Sequence, residues 1–121
     1  MRALATQMDV RPVSKVLKAV ADESRLRIIA LLAHGELCVC HVESALGLSQ
    51  PNASRQLGLL RAAGVVDTRR DGNWIYYRLA PQTDETCKQV LRTLVKSFED
   101  QGQLRKDIER LVKIRGPGSC R

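Results

Sequence analysis

A chain of 121 residues has the length of one domain with one hydrophobic core, and with 44% apolar but only 3% aromatic residues that core must be built from Leu, Val, Ile and Ala. Twenty Lys and Arg against 13 Asp and Glu leave a formal charge of +7, a field that favours a polyanionic partner, nucleic acid first and an anionic membrane surface second. The longest wholly apolar run, residues 28–33, falls far short of the ~20 a spanning helix needs, and the opening MRALATQMDVRPV lacks the apolar stretch of a secretory signal. A cytoplasmic protein with no membrane partner is expected, whose four cysteines (Cys38, Cys40, Cys87 and Cys120) are thiols.

Residues 1–11 are polar and aperiodic and read as a flexible N-terminal arm. From Pro12 the pattern changes. Val13, Val16, Leu17 and Val20 recur at helical spacing, with the Pro at the first turn. Asp22 offers the N-cap of a second helix that carries Leu26, Ile28, Ile29, Leu31 and Leu32 and stops at Gly35. Its density of aliphatics places it centrally. A short helix around residues 39–46 ends at Gly47; Ser49 then caps another, over about residues 50–62, with Pro51 in its first turn and Gly64 as its stop. Two short helices joined by a tight Gly-containing turn make a helix-turn-helix, the second being the recognition helix.

The period then switches. Residues 65–70 and 73–79 read as two strands joined by Asp71-Gly72, a type I′ hairpin signal, and a hairpin directly after a helix-turn-helix is a wing. After Pro81 an apolar stripe runs through Val90, Leu91, Leu94, Val95 and Phe98 and resumes through Leu104, Ile108, Leu111 and Val112, with Gly102 as a point of kink or division. The predicted fold is mainly α with a small β-hairpin: a winged helix-turn-helix over residues 12–114, followed by a flexible tail over residues 115–121. The first and last helices both carry apolar faces that a two-fold partner would bury, so a homodimer through those helices is expected.

The start of a recognition helix meets base edges in the major groove. Here it offers Ser49, Gln50, Asn52, Ser54, Arg55 and Gln56, of which Arg suits guanine, Gln or Asn suits adenine, and Ser suits a base or a phosphate. Arg69 and Arg70 before the wing turn and Asn73 after it suit phosphate or minor-groove contact. The expected partner is therefore double-stranded operator DNA. Trp74, Tyr76 and Tyr77 are read as residues that cover the sheet and brace the wing rather than as a base-stacking platform.

The segments ADESRLRIIALL, ELCVC, LSQPNASRQLGLLRAAGVV and RRDGNWIYYRL, in that order, closely resemble the ArsR/SmtB family of metal-responsive repressors over about residues 13–98. Within it ELCVC is similar to the pattern of arsenic- and antimony-responsive members. The resemblance implies a repressor released from DNA when trivalent arsenic or antimony binds Cys38 and Cys40, with no catalytic cofactor. Trivalent arsenic selects soft sulfur ligands. Residues two apart on a regular helix point about 200° apart, so both cysteines reach one ion only if the first turn is unwound or lies outside the helix. Where one version of the pattern has a third cysteine this chain has Glu43, a hard oxygen ligand; the candidates for a third sulfur are Cys87 and Cys120, across the dimer or within one subunit. His41 is read as solvated or capping, because consecutive Cys and His on a helix diverge.

Two other function classes compete. The same thiols near a helix start suit a regulator that senses oxidation, or one that binds a thiophilic divalent metal. An enzyme is not expected: a thiol reductase would call for Cys-x-x-Cys in a βαβ setting, and neither is found.

Overall fold

The computed structural model describes residues 9–98 and 102–114, so most of the expected arm and the whole expected tail, with Cys120, lie outside the described residues. Among the described residues six helices and three strands follow in order: α1 (Arg11–Val20), α2 (Glu23–Leu32), β1 (Leu37–Cys38), α3 (Val39–Leu46), α4 (Gln50–Ala62), β2 (Val66–Asp71), β3 (Trp74–Leu79), α5 (Glu85–Ser97) and α6 (Gly102–Ile114).

The helix boundaries are set by local chemistry. Pro12 opens α1, and the Asp22 carboxylate accepts the Arg25 backbone N–H at 3.1 Å to start α2. Gly47, at φ +70°, takes the left-handed conformation that ends α3. The core collects around α2, whose Ile28, Ile29 and Leu31 are sealed from solvent together with Val42, Leu57, Leu60, Val65 and Val66.

The strands form one antiparallel sheet in the order β1-β3-β2. In the wing, Asp71 pairs with Trp74, so the two loop residues are Gly72 and Asn73 rather than the expected Asp71 and Gly72. A type I′ turn needs positive φ at both loop residues; among the described residues only glycines have it, and Gly72 (φ +62°) sits at the first loop position, where type II′ turns place it. β1 was not anticipated. Two residues long, it pairs Leu37 with Tyr77 and Cys38 with Tyr76.

The last apolar stripe divides into α5 and α6. Instead of waiting for a second subunit, α6 packs on α2 and α3 of its own chain, burying Leu104 and Leu111. The Asp107 carboxylate, wholly buried, accepts both the Nε and Nη2 of Arg27 at 2.8 Å and the Gln103 amide at 3.0 Å. Arg110 donates to the carbonyl of Ala45 at 3.0 Å. α6 thus turns Leu104 and Leu111 into its own subunit; the apolar residues still open lie on α1, where Leu17 is exposed, on α5, where Val90 and Leu94 are half-buried, and on α6, where Val112 is exposed.

Removing one partner of a buried ion pair strands the other charge. Asp107→Ala is expected to lower stability by about 2–4 kcal/mol, toward the lower figure because Arg27 keeps some solvent contact, read as a shifted urea midpoint at constant m value.

Candidate nucleic-acid interface and sensor site

Ser49 caps α4, its hydroxyl accepting the Asn52 N–H at 3.3 Å, and Pro51 fills the first turn, where no backbone donor is needed. This local start presents Ser49, Gln50 and Arg55 to solvent, with Asn52 and Ser54 half-buried beside them. Gln50 donates to the Ser54 hydroxyl at 2.8 Å, and the Asn52 carbonyl oxygen accepts from Arg55 at 3.3 Å. Gln56 departs from the expectation. It is buried, its amide donating to Asn52 at 3.0 Å and its oxygen accepting from Arg25 of α2 at 2.8 Å, so it ties the recognition helix to the core and has no free edge for a base.

On the wing, Arg70 and Asn73 are exposed. Arg69 is exposed too, but its guanidinium forks onto the Glu36 carboxylate at 2.8–3.0 Å and lies 4.8 Å above the Tyr76 ring. That cation holds the Glu36 carboxyl below its usual range. Arg69 thus fastens the wing to the segment that enters β1. Tyr77 packs against the core as a brace, whereas Trp74 and Ile75 stand 38% and 40% exposed.

The cysteines meet because Cys38 is not helical. It ends β1 in an extended conformation and occupies the N-cap position of α3, while Cys40 lies in the first turn. Leaving the helix by one residue removes the 200° divergence, and the Cys38 and Cys40 sulfurs and a His41 ring nitrogen all lie within 4.8 Å of one another. Two sulfurs on one ion at about 2.3 Å each are separated by at most ~4.6 Å, so the donor set fits a single soft centre after a small closure. His41 is corrected accordingly: it is 8% exposed rather than solvated, and its Nδ1 stands 3.5 Å from the Cys38 sulfur.

Burial pushes the Cys40 thiol above its ordinary value; the backbone of His41 opposes this and the Glu43 charge adds to it. Cys87 is buried in α5 and does not join the cluster, so within one subunit it supplies no third sulfur; its thiol is also raised, first by burial and then by Asp84. The expected contribution of Cys120 lies outside the described residues.

A cavity of about 340 Å³ joins the two halves of the site. Cys38, Val39 and Cys40 form one wall, Gln50 and Ser54 of the recognition helix another, and Asn73, Trp74, Ile75 and Tyr77 of the wing the third. This space is not legible in the sequence, since its three walls come from segments far apart in the chain. The same holds for Glu36 as the anchor of Arg69. A cysteine just before a helix rather than within it was the one available hint for His41.

A capped recognition helix, a three-stranded wing and a Cys-Cys-His cluster beside both define a winged helix-turn-helix transcriptional regulator. Residues 22–68 match the family described as bacterial regulatory protein, arsR family. The arsenic resistance transcriptional regulator ArsR1 of Pseudomonas putida is 43% identical over 82% of this chain and 77% of its own length. The arsenical resistance operon repressor of Escherichia coli is 50% identical over 64% and 67%. A homodimeric winged helix-turn-helix DNA-binding domain from Mycobacterium bovis superposes with a TM-score of 0.63 at 32% identity, over 80% of this chain and 83% of that one. The chain belongs to the arsR family of bacterial regulatory proteins, whose members matched here are regulators and not enzymes.

The contrast between Gln56 and Gln50 is measurable. Gln56→Ala strands the Arg25 and Asn52 groups and is expected to cost about 1–3 kcal/mol of unfolding free energy, whereas Gln50→Ala, at an exposed position, stays within about 0.5 kcal/mol.

Proposed function

We propose that this protein is a cytoplasmic transcriptional repressor that binds double-stranded operator DNA as a homodimer and is released when Cys38 and Cys40 bind trivalent arsenic or antimony. The observation that carries the reading is the shared cavity: the thiols that would take the inducer and two residues that would read DNA, Gln50 and Ser54, line one space.

In the DNA-bound state Ser49, Gln50, Asn52, Ser54 and Arg55 face the major groove, and Arg70 and Asn73 reach phosphates or the minor groove from the wing, with Arg69 holding the wing in place. The open apolar residues of α1 and α5 supply the two-fold contact, in keeping with the homodimer of the M. bovis relative. Capture by the thiols draws the end of β1 and the first turn of α3 together. Because Cys38 is paired with Tyr76, that closure is transmitted to the wing as well as to the helix-turn-helix. The two sides then favour different arrangements of the same surface, and each ligand weakens the other by an equal factor.

The buried His41 nitrogen beside the sulfurs favours a second reading, in which a soft divalent cation such as zinc or cadmium takes the same Cys-Cys-His donors. Oxidation sensing is favoured by a different observation: Cys38 is disulfide-bonded rather than the expected free thiol, although burial pushes the Cys40 thiol up rather than poising it as a thiolate.

The test is fluorescence anisotropy of a labelled fragment of the protein's own promoter, in reductant, with arsenite, antimonite, zinc or cadmium added. Saturating arsenite is expected to weaken DNA binding by roughly 5–150-fold in the parent, the usual range of allosteric coupling, and to leave Cys38→Ser/Cys40→Ser bound. Release by zinc or cadmium alone would establish the second reading, and tight binding under all four would overturn both.

A further inference from the structure

We infer that the groove between α5 and the segment joining β3 to it is a binding site for a carboxylate amphiphile, a free medium-chain fatty acid. The site involves none of the cysteines and is independent of the proposed inducer.

The groove measures about 660 Å³, within the size range of small-molecule sites. Its floor is aliphatic: Ile29 of α2, Leu79 at the end of β3, Pro81, and Leu91 and Val95 of α5. One rim is cationic. Lys88, Arg92 and Lys96 follow one another at intervals of four on α5, which places them along one side of the helix, all exposed. Among the described residues no carboxylate lines the space. Lys88 meets Glu85 only at 3.9 Å, and Arg92 and Lys96 make no ion pair among the described residues.

Like charges four apart on a helix destabilise it, so an anion lying along this rim relieves a repulsion that the chain itself leaves in place. Lys and Arg lay their aliphatic stems on apolar surface and keep their charged ends in water. The occupant that fits has an apolar body for the floor and one anionic end for the rim. Free phosphate or a nucleotide would use the rim and leave the floor uncovered; a linear hydrocarbon tail with a terminal carboxylate uses both.

A second subunit does not fit the groove. The α5 residues proposed for the two-fold contact are Val90 and Leu94, and Val90 and Arg92, two positions apart, point about 200° apart around the helix. The cationic rim and the proposed dimer contact therefore occupy opposite flanks of α5. Burying the rim against another copy would also desolvate its cations with no anion to offset the cost. Gln82, at the groove's edge, donates to the carbonyls of Gly64, just after the recognition helix, and of Ala80, just after β3. A tail seated beside Pro81 and Gln82 thus bears on the junction of recognition helix, wing and α5.

Calorimetric titration of the reduced full chain with butanoate, octanoate and decanoate, below their micelle concentrations, reads the floor and the rim separately. Decanoate is expected to bind at one site per chain, with affinity rising about two- to fourfold per added methylene across the series. Decylammonium, with the same tail and the opposite charge, is expected to bind at least about tenfold more weakly. Arg92→Gln/Lys96→Gln, at exposed positions, is expected to weaken decanoate about fivefold or more and to keep the dependence on chain length. Val95→Gln, its folding checked by the urea midpoint, is expected to flatten that dependence, and Cys38→Ser/Cys40→Ser to leave decanoate affinity within about twofold of the parent. The site is overturned by the absence of binding, by affinity indifferent to chain length or to head-group charge, by uptake of many molecules per chain, or by affinity unchanged in both groove variants. Dissociation of a dimer into monomers by decanoate in sedimentation would make the groove a contact between copies and overturn it equally.

Discussion

Cys38 stands where three backbone constraints meet. Its pairing with Tyr76 makes it the last residue of β1, its extended conformation makes it the residue from which α3 departs, and the side chain two positions on comes back to meet its own. A strand leaving directly into a helix, with no loop between, brings residues 38 and 40 to one side of the chain. Had the helix begun two residues earlier, the sulfurs would have faced apart. The wing and the helix-turn-helix are commonly treated as separate DNA-reading parts; here the pairing of β1 with β3 makes them one mechanical unit, with the two cysteines at the joint. Arg69 reinforces that joint from the other side by clamping Glu36, the residue just before β1.

The opposite end of α3 is held just as firmly by different chemistry. Arg110 of α6 bonds the Ala45 carbonyl, and Arg27 of α2 reaches toward that of Leu46 while its fork is occupied by Asp107. Carbonyls in a last helical turn lack intrahelical donors, and cations there also complement the helix dipole. A buried ion pair is a poor source of net stability, since desolvation offsets most of its Coulomb gain, but its planar bidentate geometry admits few alternatives. The pair therefore fixes where α6, α2 and α3 sit relative to one another more than it strengthens the fold.

How far the sequence discloses this follows from the range of each interaction. The Ser49 and Asp22 caps, the Gly47 stop and the Pro residues at helix starts act over three or four positions, and every helix they delimit through residue 62 was legible. The hairpin was legible as a hairpin, but its loop was misplaced by one residue, because Asp71-Gly72 and Gly72-Asn73 are both good turn pairs and pairing along the whole strand decides between them. β1 was invisible: two residues have no period, and only the β3 strand some forty positions later makes them a strand. Gln56 looked like a DNA reader because polarity alone suggested an outward face; its partner Arg25 lies 31 positions away. His41 was misjudged for a related reason, since a regular helix was assumed through Cys38.

With both ends of α3 anchored, closing the thiols cannot be absorbed by sliding the helix along its axis. Its C-terminal carbonyls are bound to side chains from α2 and α6, and Leu46, Ala45 and Val42 are buried in the core. The softer elements are those that meet solvent: the two-residue β1 and the wing, whose outer strand β2 and tip residues 71–75 are exposed toward the turn. Displacement follows the lower resistance, toward the wing and the turn that precedes Ser49, and away from the core. On the proposed reading this directs a local event at two sulfurs onto the two elements that meet DNA, and it explains why a repressor of this size needs α6. Without a fixed far end, the same closure would tilt α3 as a body and leave the spacing between recognition helix and wing unchanged.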